Sequence, residues 1–142
     1  MADAPASNIL SGLTRGIGGN SHQWRVAKDT VNTPWIRLEW EQPITVSHVQ
    51  ITFDSNFNIE KKMTMSSRRQ NQQVVGVPRE LVRNYEILLS SGGKIVATQK
   101  ITGNYQRLNR VSFEPTVCDA VQINILDTNG DAEAKVFEIR VY

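Results

Sequence analysis

Only one of the 142 residues is a cysteine, Cys118. No disulfide can therefore form within the chain, and a core of this size has to hold without staples. Cys118 precedes "DAVQINIL" with no activating cation or second thiol nearby, the setting of a small semi-buried residue and not of a reactive thiol. Histidine is almost as scarce, with His22 and His48 alone. The G-x-S-x-G elbow, the H-E-x-x-H helix and paired metal-binding cysteines are all missing, so no catalytic residues are assigned. Long apolar runs are missing too: nothing approaches the ~20 residues of a membrane span. "MADAPASNIL" lacks the basic and apolar regions of a signal peptide and reads as a mature start or a domain boundary. The absence of disulfides suits the cytosol and equally suits exported bacterial domains, so the compartment stays open. Charge of one sign is lacking as well. Sixteen Lys and Arg against fourteen Asp and Glu leave +2, far from the charge density of a dedicated nucleic-acid binder.

What the chain does have is period-two alternation. Ile36, Leu38 and Trp40 share one face of "WIRLEW"; Val49, Ile51 and Phe53 share one face of "HVQITF". Tyr85, Ile87 and Leu89 repeat the pattern, as do Val121, Ile123 and Ile125. With "KIVATQKI", "RVSF" and "KVFEIRVY" this makes about seven strands separated by turn signals, the pattern of an antiparallel β-sandwich spanning 1–142 as a single domain. Gly92-Gly93 suits a hairpin turn with positive φ. Pro43 and Pro115 fall between predicted strands, where a missing N–H costs no ladder bond. Residues 1–34, rich in Gly, Asn, Ser and Thr, read as a long ordered loop with a short strand near Asn8–Leu10. One segment, about 54–83, is too long for an ordinary connection and reads as a loop insertion. It carries Lys61, Lys62, Arg68 and Arg69 around Met63 and Met65, a docking surface if it is not simply solvated, and Pro78 can open a short turn near its end.

Two stretches invite chemical readings. In "DTNGDAEAKVFE", Asp127, Asn129, Asp131 and Glu138 match the spacing of an EF-hand loop. Ala132 stands where that loop needs glycine, and strand-like sequence flanks it where helices are required. The stretch is better read as a turn at Asn129-Gly130 leading into a last strand, with Phe137, Ile139 and Val141 facing the core and Glu138 facing out. In "GNYQRLNR", Tyr105 lies among polar and cationic groups that suit a sugar or a base. "RGIGG" has neither the preceding strand nor the following helix of a phosphate loop.

The order of motifs resembles the galactose-binding-like β-sandwich modules of the discoidin or coagulation-factor type C kind, over about Asn8 to Tyr142. The resemblance is carried by "GGNSHQWRV", "PWIRLEWEQPITVSHVQITF", "VRNYEILLSSGGK", "RVSFEPTVCDAVQINIL" and the terminal "KVFEIRVY". It implies an all-β, jelly-roll sandwich of two antiparallel sheets. It also implies ligand-binding loops, for which His22, Trp24, Arg25, Asn56, Tyr105 and Arg107 are the candidates, with Trp24 equally suited to anchoring its loop. A structural calcium is implied between the early loop and the last strand, held by Asn20, Ser21 and Glu138. Gly18-Gly19-Asn20 stands where the family often has Asp-Gly-Asn, which removes a carboxylate from that site. A narrower resemblance, in "SGLTRGIGGNSHQW", "FDSNFN", "PRELVRNY" and "TNGDAEAKVFEIRVY", is to the C-terminal accessory module of bacterial FAD-dependent oxidoreductases. The leading expectation is thus a non-catalytic accessory module that packs on a catalytic domain or recognises a ligand. The alternatives are a carbohydrate-binding module and a protein- or nucleic-acid-interaction domain using the basic 61–69 loop.

Overall fold

β-branched and aromatic residues at alternating positions extend the backbone wherever one side can be buried. The computed structural model describes residues 4–15, 17, 21–28, 33–55 and 76–142. Among them are the strands β1 (Trp24–Ala27), β2 (Trp35–Phe53), β3 (Val82–Ser91), β4 (Lys94–Ile101), β5 (Leu108–Thr128) and β6 (Glu133–Val141). They pair antiparallel in the order β1-β6-β2-β5-β3-β4. No helix among the described residues is long and apolar enough to cross a membrane.

Two of these strands are longer than the sequence pattern suggests. "WIRLEW" and "HVQITF" run on into the single 19-residue β2, and "RVSF" and "AVQINIL" into the 21-residue β5. The two long strands pair along their lengths, and register is lost between Glu39 and Ile44 and again between Val46 and His48. Pro43 lies in the first gap, and Pro115 lies between Ser112 and Thr116, opposite the second. Neither costs a ladder bond, as expected, yet neither ends its strand.

At these breaks the β2–β5 ribbon doubles over. Its outer half, Trp35–Glu39 with Ala120–Asn124, continues into β3 and β4. Its returning half, His48–Thr52 with Leu108–Ser112, continues through β6 to β1. One hydrogen-bonded sheet thereby supplies both layers of a sandwich. The two layers meet through side chains: the Phe53 ring packs edge-on against Tyr85, 5.0 Å between centroids, although β2 and β3 are not sheet neighbours. The buried Tyr85 hydroxyl donates to Asn109 Oδ1 at 3.1 Å, and burial holds that phenol well above its ordinary pKa. Val49, Ile51, Ile87, Leu89, Ile123 and Ile125 fill the space between, each 2% exposed or less. Full burial of such a side chain contributes roughly 1.5–3 kcal/mol.

Several local expectations hold. Gly92 and Gly93 have φ of 59° and 80°, which only a primed hairpin turn requires, and Ser91 pairs with Lys94 across it. Pro78 opens a turn closed by Leu81 N donating to Pro78 O. Gly130 takes positive φ between β5 and β6, and strands flank the former EF-hand spacing on both sides. Cys118 is fully buried, and burial, then the charge of Asp119, pushes its thiol up.

Other expectations are corrected. Ala6–Leu10 forms a 3₁₀ turn in place of a strand, inserting Ile9 into the core. β1 rises out of the loop-rich N-terminal segment because Trp24 to Ala27 find partners on β6. Within β6 the register slips between Thr52 and Phe53, which face Glu138 and Val136, so Phe137 is the extra residue of a bulge. Ala134, Val136 and Ile139 therefore join the core, and Phe137, though 4% exposed, leaves that face. Glu138 points away from the core but is only 6% exposed, not the open outward position that alternation implies. His48 is half-buried and stacks on Tyr142 at 4.7 Å.

Candidate functional site

Because the ribbon doubles over, both ends of β5 finish at the same end of the sandwich. Leu108 lies across from Thr52, and Thr128 lies across from Val82. The segments 53–55, 76–81, 102–107 and 129–132 gather there, and the end of β1 joins them through Lys28 N donating to Ala132 O at 2.8 Å.

The β4–β5 connection, 102–107, is the most tightly built of them. Asn104 is buried at its centre. Its Nδ2 donates to Val82 O at 2.8 Å and to Gln106 O at 3.0 Å, while its Oδ1 accepts from Gln106 N at 3.0 Å. An asparagine closing on the amide two residues ahead is the Asx turn that such residues favour. Its own N–H donates to Arg83 O. Asn109 Nδ2 donates to Gln106 O at 2.8 Å, and Gly103 N donates to Asn84 Oδ1 at 2.9 Å. From the next loop, Asn129 Nδ2 reaches Asn104 O at 3.2 Å and Leu81 O at 3.0 Å. This frame fixes the backbone on both sides of Tyr105, whose side chain is left 69% exposed. An aromatic ring held out to solvent by a rigid loop loses little entropy when it meets a ligand.

Two residues on, Arg107 is half-buried, with its guanidinium carbon 5.1 Å from the centre of the Phe137 ring. That is cation–π distance, and it accounts for the cover over the bulged Phe137. Arg107 Nη2 donates to Thr14 O, drawing the N-terminal segment onto the site. Burial lowers the Arg107 pKa and the nearby Asp54 carboxylate opposes the shift. Asp54 is itself placed by its N–H to Lys135 O at 3.1 Å. With the Gln23 amide oriented to satisfy its neighbours, Nε2 donates to Asp54 Oδ2 at 3.0 Å. Its oxygen then accepts from Arg25 Nε at 2.7 Å and Nη2 at 3.0 Å. Arg107 and Arg25 are thus linked through Asp54 and Gln23.

Of the sequence candidates, Tyr105, Arg107 and Arg25 lie on these linked elements. His22 precedes Gln23 with a φ of 50°, the positive-φ non-glycine position among the described residues. Trp24 is in the core at 9% exposure, so its ring anchors the loop and is not offered to a ligand. Asn56, Asn20 and the basic 61–69 stretch fall outside the described residues. Sequence reasoning missed Asp54, Gln23 and Asn104. Only Asn104 carried a signal, the Gly-Asn pair that marks an Asx turn.

The calcium expectation can be tested against the donors. Ser21 Oγ is buried with no hydrogen-bond partner among the described residues, as an ion ligand would be. Glu138 Oε1, however, already accepts from Arg140 Nη2 at 2.8 Å. No group of three His, Cys, Asp or Glu among the described residues is placed to share a metal. A hard dication takes six to eight oxygens, several of them often carboxylates; of the three expected donors Asn20 lies outside the described residues, and Glu138 is the one carboxylate.

No protein-family model and no curated protein matches the sequence. Solved structures do match along almost the whole chain. They include the lectin domain of lectinolysin complexed with Lewis B antigen, at TM-score 0.67 and 14% identity over 98% of this chain and 84% of that one. The family 32 carbohydrate-binding module of Streptococcus pneumoniae EndoD gives 0.69 and 11% over 100% and 87%. The family 32 module of C. perfringens NanJ in complex with galactose gives 0.62 and 17% over 99% and 86%. The chain therefore has the galactose-binding-like β-sandwich fold that its motif order suggests.

Proposed function

We propose that this chain is a non-catalytic carbohydrate-binding module whose ligand site is the loop end around Tyr105 and Arg107. The observation that carries this reading is Tyr105 itself, 69% exposed on a loop locked by the buried Asn104. A tyrosine ring packs on the apolar face of a sugar, while guanidinium and amide groups bond its hydroxyls. Arg107, two residues along the same loop, carries such a group, and Arg25 and His22 are further candidates. The fold neighbours favour this reading: their names give fucose, Lewis B antigen and galactose as ligands. Nothing in them supports the narrower flavin-oxidoreductase setting, and the sequence offers no nucleophile with a base to act on a bound sugar. Such a module serves a neighbouring domain by holding it near its glycan, which raises effective concentration without new chemistry.

A glycan array followed by calorimetry tests the proposal. The native chain is expected to bind a restricted set of neutral glycans. Tyr105→Ala should weaken that binding by at least about tenfold at unchanged Tm, since the side chain touches solvent and not the core. Asn104→Ala should lose both stability and affinity. A silent array, or full affinity in Tyr105→Ala, would remove the loop-end assignment.

A further inference from the structure

The outer face of the β2–β5–β3–β4 layer carries a second constellation, whose first row ends at Lys100, two residues before the 102–107 loop, and which extends away from that loop along the strands. Pairing places Trp35, Asn124, Glu86 and Lys100 in one row across the four strands. The next row is Arg37, Gln122, Leu88 and Thr98. All of these alternate with core residues, so their side chains share the face turned away from the interior.

Polar residues on the open side of a sandwich are ordinary. Three features set this face apart. Trp35 is 57% exposed at the end of its row, and its strand is seated by Ile125 N donating to Pro34 O at 2.8 Å. The amides are ordered: Gln122 Nε2 donates to Asn124 Oδ1 at 2.8 Å, and Asn124 Nδ2 donates to Glu86 Oε1 at 2.8 Å. Each of these bonds uses one of two amide donors, so both amides keep hydrogen-bonding capacity toward solvent. Beyond the second row the face deepens into a recess of 170 Å³ lined by Arg37, Glu39, Trp40, Gly93, Asp119 and Ala120. Small residues at 93 and 120 leave the space. Arg37 Nε meets Glu39 Oε1 at 2.5 Å on its wall, and Asp119 Oδ2 is held by Gly92 N at 2.9 Å.

We propose that this face is a second saccharide-binding surface, taking a neutral oligosaccharide along β2 and β5 from the Trp35 ring to the recess. Its chemistry is that of polyhydroxylated ligands: one exposed aromatic ring, two ordered amides, and carboxylate and guanidinium groups already paired. Its charge selects against anionic glycans, because Arg37 and Lys100 face Glu39, Glu86 and Asp119, leaving no cationic excess. From the Asn124 row to Ala120 the strand spans four residues, about 14 Å at strand rise, so the surface is built for a chain of sugars and not for a single terminal ring. The proposal goes beyond the loop-end site and stands independently of it.

The test is a heteronuclear NMR titration of the whole isotope-labelled chain with neutral hexasaccharides of glucose, xylose and N-acetylglucosamine. At least one should move the Trp35 indole signal and the Gln122 and Asn124 side-chain amide signals saturably, and it should do so equally in Tyr105→Ala. Trp35→Ala and Gln122→Ala, both away from the core, should each weaken that binding about tenfold. The proposal is overturned if none of the three probes moves these signals, if only signals of 102–107 move, or if Trp35→Ala binds as tightly as the native chain. Concentration-dependent self-association that Trp35→Ala abolishes would also overturn it, by giving the face to a second copy.

Discussion

Glu138 and Arg140 show how one pair of side chains decides a question that motif spacing leaves open. The Glu138 carboxylate is nearly withdrawn from water, and a charge so placed requires a partner. Arg140 Nη2, 2.8 Å away on the same strand, is that partner. In a module of this fold a cation could fill the same role, and the buried Ser21 hydroxyl would be a second donor. The two counter-charges compete. Millimolar calcium is therefore expected to leave the native Tm within about 1 °C, because a ligand that does not bind the folded state cannot stabilise it. Arg140→Ala should lower the Tm and uncover a calcium-dependent recovery, which Glu138→Gln added to it should erase and Asp127→Asn should not. Differential scanning fluorimetry with calcium and with chelator reads all of these. A marked calcium-dependent rise in the native protein would show that the guanidinium does not hold the position.

At the scale of elements, the β5–β6 turn illustrates how short-range chemistry pins a long-range pairing. Asp131 Oδ1 accepts from Glu133 N at 3.0 Å, its Oδ2 accepts from Lys135 Nζ at 2.8 Å, and its backbone oxygen accepts from the Thr128 hydroxyl at 2.6 Å. Burial raises the Asp131 pKa, but the bonds from Lys135 and Glu133 outweigh it and the net shift is downward. A carboxyl depressed in the folded state stabilises above its unfolded pKa of about 3.9 and loses that contribution as pH falls through the folded value. Asp131→Asn should thus melt lower at neutral pH and show a shallower acid limb, the two curves converging at the acid end, below the unfolded pKa. Parallel curves from pH 7 downward would deny the turn this role. The turn itself was readable in the sequence, as were the Gly92-Gly93 hairpin and the alternating faces of Ile36, Leu38 and Trp40 or Val121, Ile123 and Ile125. The bulge at Phe137 was not, because an apolar residue there continues the period-two pattern whether or not the register slips. The continuity of β2 through Pro43 was equally hidden: proline marks a missing donor, and only the partner strand shows that no donor was needed. Tyr105 and Arg107 could be named by residue type. Asp54 and Gln23 could not, since the β2–β6 and β1–β6 pairings bring them together from segments about 30 residues apart in a chain with no local motif linking them.

Across the whole molecule, the doubled β2–β5 ribbon sets both what the fold exposes and how it should respond to salt. Folding the ribbon back brings the 53–55, 76–81, 102–107 and 129–132 segments to one end and turns the polar side chains of the β2–β5–β3–β4 layer away from the core. Charge is nearly balanced over the chain, sixteen Lys and Arg against fourteen Asp and Glu. Much of it is already paired locally: Lys28 with Asp127, Arg37 with Glu39, Lys135 with Asp131 and Arg140 with Glu138. Paired charges of both signs project little field beyond a Debye length of roughly 8–10 Å. A neutral glycan bound by ring stacking and hydrogen bonds displaces no counterions. A polyanion held by Lys and Arg releases one for nearly every phosphate neutralised. Glycan affinity should therefore change by less than about twofold between roughly 50 and 200 mM salt, the range over which a protein making several phosphate contacts loses about three orders of magnitude or more. Calorimetry at the two salt concentrations measures the first. Fluorescence anisotropy with a labelled single strand and a labelled duplex measures the second, and neither is expected to bind at low salt. Tight, steeply salt-dependent binding of either nucleic acid would move the function away from both sugar surfaces. It would place it on the basic 61–69 stretch, whose four charges, Lys61, Lys62, Arg68 and Arg69, are all positive.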